Sequence, residues 1–170
     1  MQNRPMMAFP IIKPIDVMTG RACLEITSAV ITLTLIIIIL WALGENPWPY
    51  DLETAVSAYL AVIFLGFGVG ILVGILGLAF PFLLTVWQLL SILFYISSGA
   101  LFVASYLPEQ AATALSYNPV TVCVEWMRTA YYQTYSDKLV SPFYVISFGA
   151  IALLLGLSID HFFRRQIAER

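Results

Sequence analysis

Four apolar runs with no charge near their middles, at residues 26–43, 55–78, 83–105 and 142–159, leave this chain one class of fold. Each is close to the ~20 residues a helix needs to cross the ~30 Å hydrocarbon core of a bilayer. Inside lipid every backbone N–H and C=O must find its partner within the chain, so the runs are expected to be helices. Hydrophobic residues make up 61% of the 170 and charged residues 11%, far below the ~25% of an ordinary soluble domain. The expected fold is therefore all-α and integral to a membrane, with four transmembrane helices. The first run follows prolines, acids and cations rather than a signal-peptide n-region, and no small-residue cleavage site comes after it, so it reads as a resident span.

Flanking cations set the expected orientation. Arg4, Lys13 and Arg21 precede the first run, Arg164, Arg165 and Arg170 follow the last, and the connection at 44–54 carries only acids. By the positive-inside rule both termini are cytoplasmic. Residues 1–25 form a cytoplasmic segment and the start of an interfacial helix, which begins around Asp16, a plausible cap. The transmembrane domain is 26–170, with 106–141 on the outer side, a tight inner turn at Pro81, and a cytoplasmic tail at 160–170. Trp41, Trp48, Tyr50 and Tyr106 then fall at the outer interface as an aromatic belt. Cys23 and Cys123 lie on opposite sides and are not expected to pair.

The connection at 106–141 is far richer than a turn between spans requires. It holds Tyr106, Tyr117, Tyr131, Tyr132 and Tyr135, together with Trp126, an Asn118-Pro119 break and the charges Glu125 and Arg128. Two short helices are expected, at 109–116 and 120–132, separated where proline removes a donor and restricts the residue before it. Neither is long enough to span, so the second reads as interfacial or re-entrant. Thr121, Glu125, Arg128 and Tyr132 share one of its faces, and Val120, Cys123, Val124 and Met127 another. Glu125 and Arg128, three apart, can pair along the helix for ~0.2–0.5 kcal/mol.

Two stripes lie within the spans. Gly66, Gly70 and Gly74 recur at every fourth residue of the second, which suits close helix packing. Thr85, Gln88, Ser91, Tyr95 and Ser98 line one face of the third. A polar stripe would be costly against lipid. Two readings stay open for it: hydrogen bonds between helices, or a wet path suited to sugars rather than ions.

Other functions are excluded or disfavoured. Neither Lys13 nor Lys138 follows a glycine, so there is no Walker A loop and no nucleotide site of that kind. No Asp, Glu, Lys, Arg or His lies near the middle of a span, which disfavours proton coupling and intramembrane acid–base catalysis, and no catalytic residue is assigned. His161, the one histidine, sits beside Asp160 at the inner end of the last span, and a metal site would need further ligands, so none is expected. A net charge of -2, with the Lys/Arg clusters confined to the two ends of the chain, argues against nucleic acid.

Three segments, MAFPIIKPIDVMTGRACLE, ISSGALFVASYLPEQ and SYNPVTVCVEWMRTAYY, together resemble the permease subunits of type 2 ABC exporters, most closely those exporting capsular polysaccharide. The resemblance rests on Lys13, Pro14, Ile15, Asp16, Arg21, Leu24 and Glu25, then on Pro108, Tyr117, Asn118, Pro119, Glu125 and Arg128. Gly20 stands where that family tends to have alanine. Such permeases usually have six spans, and this chain resembles about the carboxyl-terminal two-thirds of one.

The resemblance implies a bacterial inner-membrane protein that pairs with a second permease copy and with separate ATPase subunits holding ATP and Mg. It assigns ATPase coupling to Pro10, Lys13, Pro14, Ile15 and Asp16, and a re-entrant structural role to Pro108, Asn118, Pro119, Glu125 and Arg128. A polysaccharide, often lipid-linked in that family, would pass along Gln88, Ser91, Tyr95, Ser98, Tyr117, Trp126 and Tyr131. The alternative is a four-span accessory or structural membrane protein, including a degenerate permease without transport.

Overall fold

A computed structural model of the chain describes residues 14–168, with side chains through residue 162. Among the described residues there are six α-helices, one 3-10 turn and no sheet. The helices are α1 (Pro14–Ala42), α2 (Leu52–Ala79), α3 (Phe82–Ser97), α4 (Glu109–Ser116), α5 (Pro119–Tyr131) and α6 (Pro142–Ala168), and the 3-10 turn is Ala104–Tyr106. The chain divides into two compact units, Met1–Pro47 and Trp48–Arg170.

In the first unit α1 starts at Pro14, where proline's missing N–H costs nothing, and has Asp16 in its first turn. Its apolar stretch includes Thr27, Thr32 and Thr34, whose hydroxyls donate to the carbonyls of Cys23, Ser28 and Val30, each at 2.8 Å. Hydroxyls satisfied by their own helix can sit in an apolar medium. The helix closes on Gly44, whose φ of 85° is left-handed, and Glu45 N–H reaches back to the Leu40 carbonyl at 3.0 Å. Lys13 and Pro10 lie outside the described residues.

The second unit is built on the packing of α2 against α6. Asp51 caps α2, accepting from the Glu53 and Thr54 amides at 3.0 and 3.2 Å and from the Thr54 hydroxyl at 2.6 Å. The Thr54 hydroxyl, then the Thr54 amide, hold the Asp51 carboxyl below its ordinary value. Along α2, Ala55, Ala58, Ala61, Leu65, Gly68, Ile71 and Ile75 are buried, in steps of three and four that define one helix face. On α6 the matching row is Val145, Gly149, Ala152 and Gly156, all buried.

Small residues on both rows let the two backbones approach closely. A Cβ on Gly68 would collide with the Gly149 carbonyl oxygen, whereas one on Gly66 or Gly70 would meet nothing within 4 Å. Close packing of α2 on α6 therefore runs through Gly68, Gly149 and Gly156, while Gly66 and Gly70 of the expected Gly66, Gly70 and Gly74 stripe leave room for a Cβ within the chain. That stripe is set by the spacing within one helix. The packing face is set by where the partner's small residues fall.

α1, α2 and α6 through Phe162 are long and apolar enough to cross a membrane, and α3 is a shorter apolar helix. The expected third helix over 83–105 stops at Ser97. Its 16 residues reach only about 24 Å at ~1.5 Å per residue. Gly99 takes a φ of 78°, and the chain continues without α-helix to the 3-10 turn. Most helices cannot break at such a point without orphaning carbonyls. The acceptors exposed by this break are met from α5.

Candidate functional site

The break at the end of α3 and the α4–α5 hairpin form one polar seam. Asn118, Thr121, Glu125 and Arg128 follow one another at three, four and three residues, so α5 presents them on one face. Asn118 is the α5 N-cap, its Oδ1 accepting from the Val120 amide at 2.9 Å, and Pro119 follows at the first helical position. The Asn118 side-chain amide donates to the Phe94 carbonyl at 3.0 Å and to Ser97 Oγ at 2.8 Å. Thr121 Oγ1 donates to the Ser97 carbonyl at 2.9 Å. Arg128 Nη2 donates to the carbonyls of Gly99 at 2.6 Å and Phe102 at 3.1 Å. Polar groups of α5 thus replace the helical partners that the 94–102 backbone has lost.

Glu125 sits behind that arginine and is 0% exposed. Its Oε1 accepts from Arg128 Nη1 at 2.7 Å, and its Oε2 accepts from the Ser105 hydroxyl at 2.5 Å and the Tyr135 hydroxyl at 2.7 Å. Both carboxylate oxygens are therefore engaged, as a buried charge requires. Burial, ahead of its hydrogen bonds, holds the Tyr135 phenol above its ordinary value. The cluster fastens the break, the 3-10 turn, α5 and the following loop at one point. The pair is far more than an exposed contact along a helix.

The other face of α5 is anchored on α2 and α6. Val122 and Cys123 join Ala61, Leu65 and Val145 in a buried cluster, with Trp126 and Tyr144 packed against it. Among the four residues expected to form the apolar face, Cys123 is buried and Val120, Val124 and Met127 are half-buried. Burial pushes the Cys123 thiol up to about 11. The Asp51 amide donates to the Ala130 carbonyl at 3.0 Å, tying the start of α2 to the end of α5. Tyr144 OH donates to the Tyr117 carbonyl at 2.7 Å at the α4–α5 corner. Pro108 begins α4, its carbonyl accepting from Ala111 and Ala112 at 2.9 and 3.0 Å.

The residues expected along a polar path divide in two. Gln88, Tyr95, Tyr117 and Tyr131 are exposed, and Tyr117 is 75% so. Ser98 is buried and its hydroxyl donates to the Tyr95 carbonyl at 2.7 Å. Half-buried Ser91 donates to the Gln88 carbonyl at 2.8 Å, and half-buried Trp126 belongs to the apolar cluster. Pro14, Ile15 and Asp16 occupy the first turn of α1. Ser105 and the row of Val145, Gly149, Ala152 and Gly156 were not singled out from sequence, and Tyr135 was noted only as one of the loop's five tyrosines. The α6 spacing of small residues was the available signal for that row. Among the described residues no group of His, Cys, Asp and Glu could hold a metal ion.

Asn118→Ala is expected to cost about 2–4 kcal/mol, from a lost N-cap of about 1 kcal/mol and a buried carbonyl left without its donor at about 1–3 kcal/mol. Asn118→Asp, which keeps the cap acceptor and loses both donors, should still lose most of that. Thermal unfolding in detergent checks the pair; full stability in the aspartate variant would mean that the contacts with α3 contribute nothing.

No protein-family model matches the sequence. The chain is distantly homologous to capsule polysaccharide export proteins. It is 29% identical over 157 residues to the polysialic acid transport protein KpsM of Escherichia coli, covering 92% of this chain and 61% of the relative. Against the capsule polysaccharide export inner-membrane protein CtrC of Neisseria meningitidis serogroup B it is 24% identical over 156 residues, covering 92% of this chain and 59% of the relative. The chain thus spans about three fifths of the length of the curated relatives it matches.

Proposed function

We propose that this chain is a membrane permease component of an ATP-driven exporter of capsular or related cell-surface polysaccharide. The observation that carries the reading is the similarity, over 92% of the chain, to proteins named for polysialic acid transport and capsule polysaccharide export. The membrane-spanning helices suit that role, and the absence of a Walker A loop from the sequence leaves ATP and Mg to a partner ATPase. In this reading the chain crosses a bacterial inner membrane four times, α3 completing its crossing through residues 98–103, with both termini cytoplasmic. Pro10, Lys13, Pro14, Ile15 and Asp16 receive the motion of the ATPase, and a second permease copy completes the passage.

The α4–α5 hairpin then lies at the outer exit. Exposed Tyr95, Tyr117 and Tyr131, with Gln88, offer ring faces and hydrogen-bonding groups to a hydroxyl-rich glycan. Ser98 and Trp126 support that surface from inside. Ring faces and hydroxyls hold sugars weakly enough for release.

Surface glycan should be measured in the native host with the chromosomal gene altered. Tyr117→Ala combined with Tyr131→Ala is expected to lower export about tenfold, taking ~1.36 kcal/mol per factor of ten, with normal amounts of membrane-inserted protein. Asp16→Ala and Lys13→Ala should lower export and copurification of an ATPase together. Unchanged export in the tyrosine variant removes the glycan path; unchanged export and association in the other two remove the docking role.

A further inference from the structure

α3 is held at its ends and mostly exposed between them, with only Trp87, Ser91 and Phe94 half-buried along its middle. Its inner-turn end follows α2 through Phe80 and Pro81, and a Cβ on Gly77 of α2 would run into the Leu84 side chain, so that end is closely packed. Among the residues of α3 itself none is buried. Val86, Leu89, Leu90, Ile92, Leu93 and Ile96 are all exposed along the middle. At the far end the attachment is the polar seam, in which Asn118, Thr121 and Arg128 donate to the carbonyls of Phe94, Ser97, Gly99 and Phe102.

These two kinds of attachment respond differently to water. Apolar packing in a membrane is not exchanged for contacts with water, whereas side-chain-to-carbonyl hydrogen bonds are strong when dry and replaceable once hydroxyl-bearing molecules reach them. The far end also carries the element that permits a bend, since Gly99 adopts a left-handed φ of 78° that other residues rarely take. α5 offers a fixed base for the seam because its opposite face is buried with Ala61, Leu65 and Val145.

We propose that α3 is a hinged flap, pivoting at the Phe80–Pro81 turn and latched at its Ser97 end by the polar face of α5, and that hydration of the seam releases it. In an exporter the hydrated, hydroxyl-rich cargo would itself supply the competing partners. That last consequence rests on the proposed function; the latch does not.

The test uses the purified full chain in lipid nanodiscs, with Cys23 changed to serine and spin labels at Tyr95→Cys and Tyr131→Cys, both exposed and outside the seam. A second label pair, at Leu60→Cys on α2 and Ile151→Cys on α6, reports the packed body. The parent should give one narrow Tyr95–Tyr131 distance. Arg128→Lys, which keeps a cation beside Glu125 but cannot fork to both carbonyls, and Thr121→Val should each raise the population at longer distance about tenfold or more. The Leu60–Ile151 distance should stay as in the parent.

An unchanged Tyr95–Tyr131 distribution in both variants overturns the latch. So does simultaneous loss of the Leu60–Ile151 distance, which would make the seam a support of the whole fold rather than a local fastening. Neither readout involves transport, so failure of the export reading and failure of the latch are separately visible.

Discussion

Replacing Arg128 by alanine is expected to weaken the closed arrangement of α3 on α5 by about 3–5 kcal/mol, the usual cost of removing one partner from a buried ion pair. The cost arises from what remains. Glu125, 0% exposed, would keep its contacts to Ser105 and Tyr135 but lose the cation that offsets its charge. The carbonyls of Gly99 and Phe102 would lose their side-chain donor at the same moment.

Amide exchange reads this locally, because the Ser98, Phe102, Tyr106 and Leu107 amides are each bonded within the break or the 3-10 turn. At ~1.4 kcal/mol per factor of ten their exchange should quicken by about two to three and a half orders of magnitude. Glu125→Gln combined with Arg128→Met should be milder than Arg128→Ala, since the uncompensated charge goes with its partner. An acceleration of only about twofold would return the pair to the ~0.2–0.5 kcal/mol of an exposed helix contact.

That contrast shows where the sequence was legible. α4 was expected at 109–116 and is Glu109–Ser116, and α5 was expected at 120–132 and is Pro119–Tyr131. Both bounds follow from proline and asparagine chemistry, which is local. The shared face of Thr121, Glu125 and Arg128 was also visible, being a matter of helical spacing. Its partners were not, because they are backbone carbonyls, which every residue carries and no side chain announces. Only the fold brings 94–102 beside 118–128.

The third helix failed to follow its hydropathy for the same reason. Leu101, Phe102 and Val103 continue the apolar run past Ser97, Ser98 and Gly99, so the run reads as one span. Ser97 and Ser98 in fact bond back to the carbonyls of Leu93 and Tyr95, and Gly99 turns the chain out of the helix. The two serines and the glycine were the signal. Their effect depended on donors more than twenty positions later, since a break inside an apolar run is tolerable only where protein supplies the missing partners.

The glycines of α2 allow a prediction in which two rows on one helix compete. Gly68→Ala is expected to destabilise the chain by about 1–3 kcal/mol or more, the range for overpacking a tight interior. Its new methyl would collide with the Gly149 carbonyl oxygen, and neither backbone can retreat unless α2 and α6 separate along their length. Gly149→Ala should cost less, because its Cβ would meet the Phe64 ring at 3.1 and 3.2 Å as well as Leu65 Cα at 3.2 Å, and a ring can turn where a carbonyl cannot. Gly66→Ala and Gly70→Ala meet nothing within 4 Å, so alanine's better helix propensity should leave them neutral or slightly stabilising. Unfolding of the purified chain in mixed detergent micelles ranks the four variants. If Gly66→Ala and Gly70→Ala proved the costly pair, the every-fourth-residue row would be the packing face after all, and the register of α2 on α6 would have to turn to match it.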